Sequence, residues 1–411
     1  WSVGVKRLGP LLAIVAAMSV VVGVWILATP PSGGADEPAH VIRGAALVRG
    51  QLDGQPITTR LDGYELPAHI GVPDPGCFAL KPDTPAQCAT ALEPPSGSTV
   101  RATRSADYPI WGHLAGGLGS FLPAAWSSTG ARVADAILPL LLVAGALFAA
   151  SRRGWAAAGG VLLAITVPVW FIIAVVNPSG LLIAGGVALW GALANGSRNV
   201  DASGWRPSRL DGVLLAAGWV AMALPRRDGL IYAALVLSLS ILIFDVSVDH
   251  LRRRIPRSAW LAIAVSTGTT LAWAATSAET SSRLLFLAPF APVVAIAGRR
   301  LWRRVADRFG TTGIVLFAAA TTAVALAGSV IAMATRAAGL DLTALQRAIS
   351  QTGIDLRETI AVFGWLDAAV PRSMVFLWII ALGLLVAGGV LAIRPRALIG
   401  AGAILGVGVW M

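Results

Sequence analysis

The sequence predicts an all-α integral-membrane protein, a polytopic transmembrane helical bundle of about eleven spans. Three observations predict it. Hydrophobic residues make up 56% of the 411 residues and charged residues only 13%, a balance too apolar for a soluble chain of this size. Apolar runs long enough to cross a bilayer recur along the whole chain. The basic residues fall in short clusters between those runs, on alternate connections, as the positive-inside rule requires.

The runs lie at about 8–29, 131–150, 155–176, 180–195, 210–224, 229–247, 258–277, 284–298, 310–335, 372–392 and 397–411. With the N-terminus cytoplasmic, the inside connections hold 18 of the 32 basic residues and 5 of the 21 acidic ones, a balance of +13 against −2 outside. The net charge of +11 is therefore spent on orientation, and a nucleic-acid partner is not expected. The expected location is the plasma membrane, multi-pass. The first run is too long for the apolar part of a cleavable signal and no A-x-A site follows it. The chain starts at Trp1 without an initiator Met, so it is expected to be part of a longer protein, with a further break expected near 278–282.

Two connections are long, and both are expected outside: 30–130 and 336–371. The first is rich in Pro, Gly and Asp, with turn dipeptides at Asp53-Gly54 and Asp62-Gly63. It holds both cysteines of the chain, Cys77 and Cys88. In an oxidising space a disulfide between them is expected over two free thiols. No His stands at zinc spacing beside them, so no zinc site is expected.

The first turn after the first run reads Pro31-Ser32-Gly33-Gly34-Ala35-Asp36-Glu37-Pro38-Ala39-His40. Two adjacent carboxylates at the mouth of a membrane bundle are costly unless they work, so Asp36 and Glu37 are the candidate catalytic residues. Pro38 suits the first turn of a helix capped by Asp36 or Glu37. Along that helix Asp36, His40 and Arg43 project to one side, which reads equally as the polar face of an interfacial helix. The stretch from Tyr108 to Trp126 brings Trp111, His113, Phe121 and Trp126, residues typical of headgroup anchoring. Arg226 and Arg227 form a basic pair on the face where arginines are scarce. Their forks suit phosphate oxygens, and Arg347 and Arg357 in the second long connection, with Arg372 at its end, are further candidates. The alternative for the pair is a short hairpin that never crosses.

Asp36-Glu37-Pro38-Ala39-His40, Asn177-Pro178-Ser179-Gly180 and Gly364-Trp365-Leu366-Asp367 together resemble an uncharacterised bacterial membrane-protein family, DUF2142. That family in turn resembles the GT-C glycosyltransferases, which draw sugars from lipid phosphates and place a catalytic carboxylate in the first outer loop. The resemblance implies that Asp36 or Glu37 serves as general base. The partners it implies are a polyprenyl-phosphate sugar donor, a glycan or glycolipid acceptor of the cell envelope, and membrane lipids. The acidic pair could also hold Mg²⁺ or Mn²⁺, although a lipid-monophosphate donor does not require it. The preference for Arg over Lys suggests a GC-rich, actinobacterial genome. Two other readings stand beside this one: a transporter or flippase for a lipid-linked glycan, and a non-catalytic subunit of an envelope-assembly complex.

Overall fold

A computed structural model describes residues 2–71, 75–89, 96–197, 208–244, 255–277 and 280–301, with short pieces as far as 381. The predicted runs at 310–335 and 397–411, most of 372–392, and Arg347 and Arg357 lie outside the described residues. What is described is mostly helical. Among the described residues, two helices are long and apolar enough to cross a membrane, Gly9–Ala28 and Ala124–Ser151, and a bent pair would be a third if it forms one span. Pro178–Ala194 and Gly229–Ile241 are apolar but shorter.

The described helices include α1 (Ser2–Ala28), α2 (Glu37–Leu47), α3 (Leu114–Leu118), α4 (Ala124–Ser151), α5 (Trp155–Ala164), α6 (Val167–Ala174), α7 (Pro178–Ser197), α8 (Arg209–Ala223), α9 (Gly229–Phe244) and α10 (Arg257–Thr276). In the bundle α7 packs between α4 and α8, while α1 lies on α4 and α6, and α10 on α8. The core is built from small and branched residues such as Val143, Ala144, Ala188, Leu189, Ala192 and Leu193, all nearly inaccessible. Where α7 crosses α8, Gly185 faces Gly218. A Cβ on Gly185 would stand 2.8 Å from the Gly218 carbonyl, and one on Gly218 would stand 2.7 Å from the Gly185 carbonyl. Small residues let the two backbones touch, which is how helices associate where water supplies no driving force.

The predicted run 155–176 is two helices. The chain leaves helical geometry at Ile165 and Thr166, and α5 and α6 meet at 64°. Pro168 explains the break. It fits the opening turn of α6 but could not continue α5, because its missing N–H and ring would disrupt the preceding turn. The helix Ala124–Ser151 begins about two turns before the apolar run, and this extra stretch contains Ser127 and leads to Arg132.

The described residues between 29 and 123 form a cap on one end of the bundle, and it departs from the all-α expectation. Strands β1 (Gln55–Thr58), β2 (Leu61–Pro67) and β3 (Ser98–Thr103) make an antiparallel meander. Asp62-Gly63, expected as a turn, lies within β2, paired with Thr103 and Ala102. The alternation decides it: Tyr64 and Leu66 are buried while Glu65 faces out, the half-buried pattern of a strand. Tyr64, Leu66 and Ile70 pack on Ile42, Ala45 and Ala46 of α2. Helix α2 is thus enclosed between sheet and α3, and His40 and Arg43 are buried. An interfacial helix would have left them wet. Cys77 and Cys88 are bridged, with Cα atoms 6.1 Å apart, tying the 3₁₀ turns Pro75–Cys77 and Ala86–Ala89.

Candidate functional site

The site is the seam where the cap meets the bundle, and it starts from the turn that leaves α1. Asp36 takes a left-handed backbone (φ 58°), which an Asp tolerates better than most side chains. Its carbonyl accepts the first helical bond from the His40 N–H at 3.1 Å. Its carboxylate does not cap α2. It turns outward to the guanidinium of Arg104, 3.1 Å away, with the two side chains 49% and 66% exposed.

Glu37 faces the opposite way. Both its oxygens meet Arg132 of α4 at 2.7 Å, and both side chains are 2% exposed. Glu37 also accepts the backbone N–H of Gly34 at 3.1 Å and of Val176 at 3.2 Å. Arg132 spends its remaining N–H groups on the carbonyls of Ile26, Thr29 and Pro30. Those three carbonyls lie at and just past the C-terminus of α1, where helix geometry leaves acceptors without partners. The pair therefore ties the end of α1, the start of α2, helix α4 and the α6–α7 junction at one point.

The second motif closes on the first. Asn177 donates through Nδ2 to the Ala35 carbonyl at 3.2 Å, and its own side-chain oxygen accepts from the Ser179 N–H at 2.9 Å. That bond heads α7, which opens on Pro178, the residue suited to a first helical position. The Asn177 N–H goes to Asp135 of α4 at 3.1 Å. The third motif touches this group through α6: a two-stranded ladder of Val362–Phe363 with Ala368–Ala369 lies against that helix. Its turn residues 365–367 lie outside the described residues.

A second layer of the seam is cationic and aromatic. Arg226 donates to Ser179 Oγ at 2.6 Å and to Asp228 at 3.2 Å. Its guanidinium lies 5.7 Å from the Tyr108 ring centre, and that of Arg227 lies 5.2 Å from it. Tyr108 in turn meets His40 edge-on at 5.8 Å and His113 at 5.9 Å. His40 Nδ1 and His113 Nε2 share a hydrogen bond of 3.0 Å, while Ser105 Oγ lies 3.3 Å from His40 Nδ1. His113 Nδ1 meets the Pro109 carbonyl at 3.3 Å. A carbonyl only accepts, so the proton sits on His113 Nδ1, His113 Nε2 accepts, and His40 Nδ1 donates. Burial holds both imidazoles neutral. It pushes His113 down to about 3, and it pushes His40 well below the usual range, with help from His113 and the positive charges of Arg226 and Arg104.

The cap is seated by close contact. Gly112, next to His113, lies against Pro225 and Pro178, and a Cβ there would stand 2.6 Å from the Pro225 carbonyl. From Trp111 and Pro225 an apolar groove of about 600 Å³ runs between α8 and α10 to Pro256 and Ser258. One end of the groove thus reaches Pro225, the residue before Arg226.

Of the residues chosen from sequence, Asp36, Glu37, His40, Arg226 and Arg227 gather at this seam. Arg43 shares their helix but serves the sheet. It donates to the Leu52 carbonyl at 2.9 Å and to the Tyr64 hydroxyl at 2.7 Å, and burial is the largest influence lowering its proton affinity. His40 pairs with His113, and Glu37 accepts from Gly34 rather than capping the helix it opens. Arg372 is exposed at the start of the helical stretch 372–377. Sequence reasoning passed over Arg132, Arg104 and Tyr108. Arg132 had a signal, since an arginine at the head of an apolar run implies a buried partner. Arg104 and Tyr108 had none beyond their place in the cap. Among the described residues, no three His, Cys, Asp or Glu side chains gather as a metal site would need.

A family model described as predicted membrane protein (DUF2142) matches residues 20–410. No curated protein and no solved structure matches the chain.

Proposed function

The chain belongs to the DUF2142 family of predicted membrane proteins, and we propose that it is a membrane glycosyltransferase of GT-C-like type, with about eleven spans. It moves a sugar from a polyprenyl-phosphate donor to a cell-envelope glycan or lipid on the extracytoplasmic face. The observation that carries the reading is one juxtaposition. A half-exposed carboxylate, Asp36, lies at the same seam as two arginines that flank one tyrosine ring, at the end of an apolar groove.

Each part meets a demand of that chemistry. The donor's phosphate is already a good leaving group, so protonating it matters little. The acceptor hydroxyl must lose a proton as its oxygen attacks the anomeric carbon, and Asp36, half exposed, is a carboxylate within reach of solvent to receive it. Charge builds on the departing phosphate, and Arg226 and Arg227 supply forks to hold it. Arg226 is already oriented by Ser179 and Asp228, so little reorganisation is needed. The groove offers an apolar bed for an isoprenoid chain.

Within this reading Glu37 is a positioning residue. Its oxygens are occupied by Arg132, Gly34 and Val176, and it fixes the turn that presents Asp36. The extracytoplasmic placement rests on the charge asymmetry of the chain.

The test is transfer from a polyprenyl-phosphate sugar by the purified protein in lipid nanodiscs. Asp36→Asn keeps the shape and removes the base, so turnover is expected to fall ~10²-fold or more with the melting curve unchanged. Near-normal turnover in that variant would remove Asp36 from the mechanism.

A further inference from the structure

Asp36 is held by a cation that belongs to neither of the arginines assigned to phosphate. Arg104 follows directly on β3, which ends at Thr103, and its exposed guanidinium lies 3.1 Å from the Asp36 carboxylate. A carboxylate oxygen held in such a pair is covered by the guanidinium and is not free to meet an acceptor hydroxyl. Arg104 and Arg226 both stand close enough to His40 to depress its proton affinity, so they approach one imidazole from the sheet side and the bundle side. Arg226 and Arg227 lie on the Tyr108 ring and Arg104 and Arg226 both act on His40, while Arg104 meets Asp36 and Arg226 meets Asp228. The two imidazoles within the patch are buried and neutral. Guanidinium groups gathered on one patch favour an anion there.

We propose that Arg104 is a positioning residue that exchanges partners, leaving Asp36 for the phosphate of the incoming lipid donor and so releasing the base only when donor is bound. The inference rests on the transferase reading above. In the resting protein Arg104 covers Asp36. With donor in place, Arg104 joins Arg226 and Arg227 on the phosphate oxygens. The acceptor oxygen then bonds to the anomeric carbon as the bond from that carbon to the phosphate oxygen breaks. The acceptor's proton passes to Asp36, and the electron pair leaves with the polyprenyl phosphate, held by the three guanidinium groups. An exposed pair suits this exchange, since such pairs contribute little net stability and the phosphodiester anion of the donor can take the place of the carboxylate.

The exchange is tested by a binding cycle that needs no turnover. Polyprenyl monophosphate, with the matching prenol as control, is titrated into nanodiscs holding wild type, Asp36→Asn, Arg104→Gln and the double variant. If Arg104 is shared between the two anions, Asp36→Asn frees it and tightens phosphate binding roughly two- to five-fold. Arg104→Gln weakens binding, Arg104→Lys restores part of it, and Asp36→Asn has no effect in the Arg104→Gln background. Equal tightening by Asp36→Asn in both backgrounds would mean simple charge repulsion from Asp36 and would overturn the exchange, leaving the transferase reading intact. Wild type that binds the phosphate no better than the prenol would overturn the exchange and the donor site together.

Discussion

Glu37 and Arg132 meet fork to fork, 2.7 Å on both arms and 95 residues apart in the chain, with neither side chain more than 2% exposed. Every N–H of that guanidinium has an acceptor, and four donors converge on that carboxylate. A pair this dry is retained for what it positions more than for net energy, because desolvation offsets most of the attraction. What it positions is the junction of α1, α2, α4 and α6, and with it Asp36.

Removing one partner alone should therefore be costly. Arg132→Ala or Glu37→Gln leaves the other group buried and poorly matched, a loss of about 3–5 kcal/mol. Guanidinium-induced unfolding in detergent micelles should register it as a much lower midpoint. Arg132→Ala combined with Glu37→Met should recover part of that loss. Additive losses in the double variant would show that the two residues act independently.

The buried histidines predict how stability depends on pH. Both imidazoles have proton affinities lowered by folding, His113 to about 3, while in the unfolded chain each titrates at about 6.5. Between those values the unfolded state binds more protons. Stability is thus fully present above pH about 6.5 and is lost as pH falls towards 3, with a slope of up to about 1.4 kcal/mol per pH unit for each histidine. The melting temperature should drop between pH 7 and 5. His113→Gln, which can still reach the Pro109 carbonyl, should flatten that dependence, and an unchanged slope would remove His113 from the account.

Gly112 offers a test of the docking. Any side chain there must displace the Pro225 carbonyl or the Pro178 ring, and overpacking of this kind costs about 1–3 kcal/mol. Gly112→Val should loosen the cap from the bundle without unfolding the sheet. Limited proteolysis should then cut faster near residues 109–126, while the Cys77–Cys88 bridge stays intact. Unaltered cleavage would mean that the cap is seated elsewhere.

How much of this was legible depends on whether the signal was local. The helices α1, α4, α7, α8, α9 and α10 follow from composition alone, because a run of apolar residues forces helix wherever backbone groups cannot reach water. The bridge between Cys77 and Cys88 followed from there being only two cysteines in one loop. The bend at Thr166 had its signal in Pro168, which a run read for apolarity alone conceals. The meander was hidden for a different reason. Its strands are four to seven residues long, β1 is exposed throughout, and the glycines that punctuate them read as turns. At the site, the turn bearing Asp36 and Glu37 was visible because charges beside a membrane run stand out. The division of labour between the two carboxylates was not, since it is decided by Arg104 and Arg132, which the fold alone brings to them.

The arginine pair yields the last prediction. Arg226 is fixed by three contacts, the Ser179 hydroxyl, the Asp228 carboxylate and the Tyr108 ring, whereas Arg227 meets the same ring at 5.2 Å. A guanidinium fork held in place can meet two phosphate oxygens at once, and an ammonium cannot. If the phosphate leaves between these residues, Arg226→Gln removes charge stabilisation that grows towards the transition state. Then kcat should fall about 10²-fold, with a smaller change in KM. Arg226→Lys should recover only part, because the charge returns without the fork. Tyr108→Phe keeps the ring and should be nearly silent, while Tyr108→Ala removes the surface both arginines lie on and should resemble Arg226→Gln. A KM effect alone in Arg226→Gln would place this residue in ground-state binding and shift the leaving-group role to Arg227.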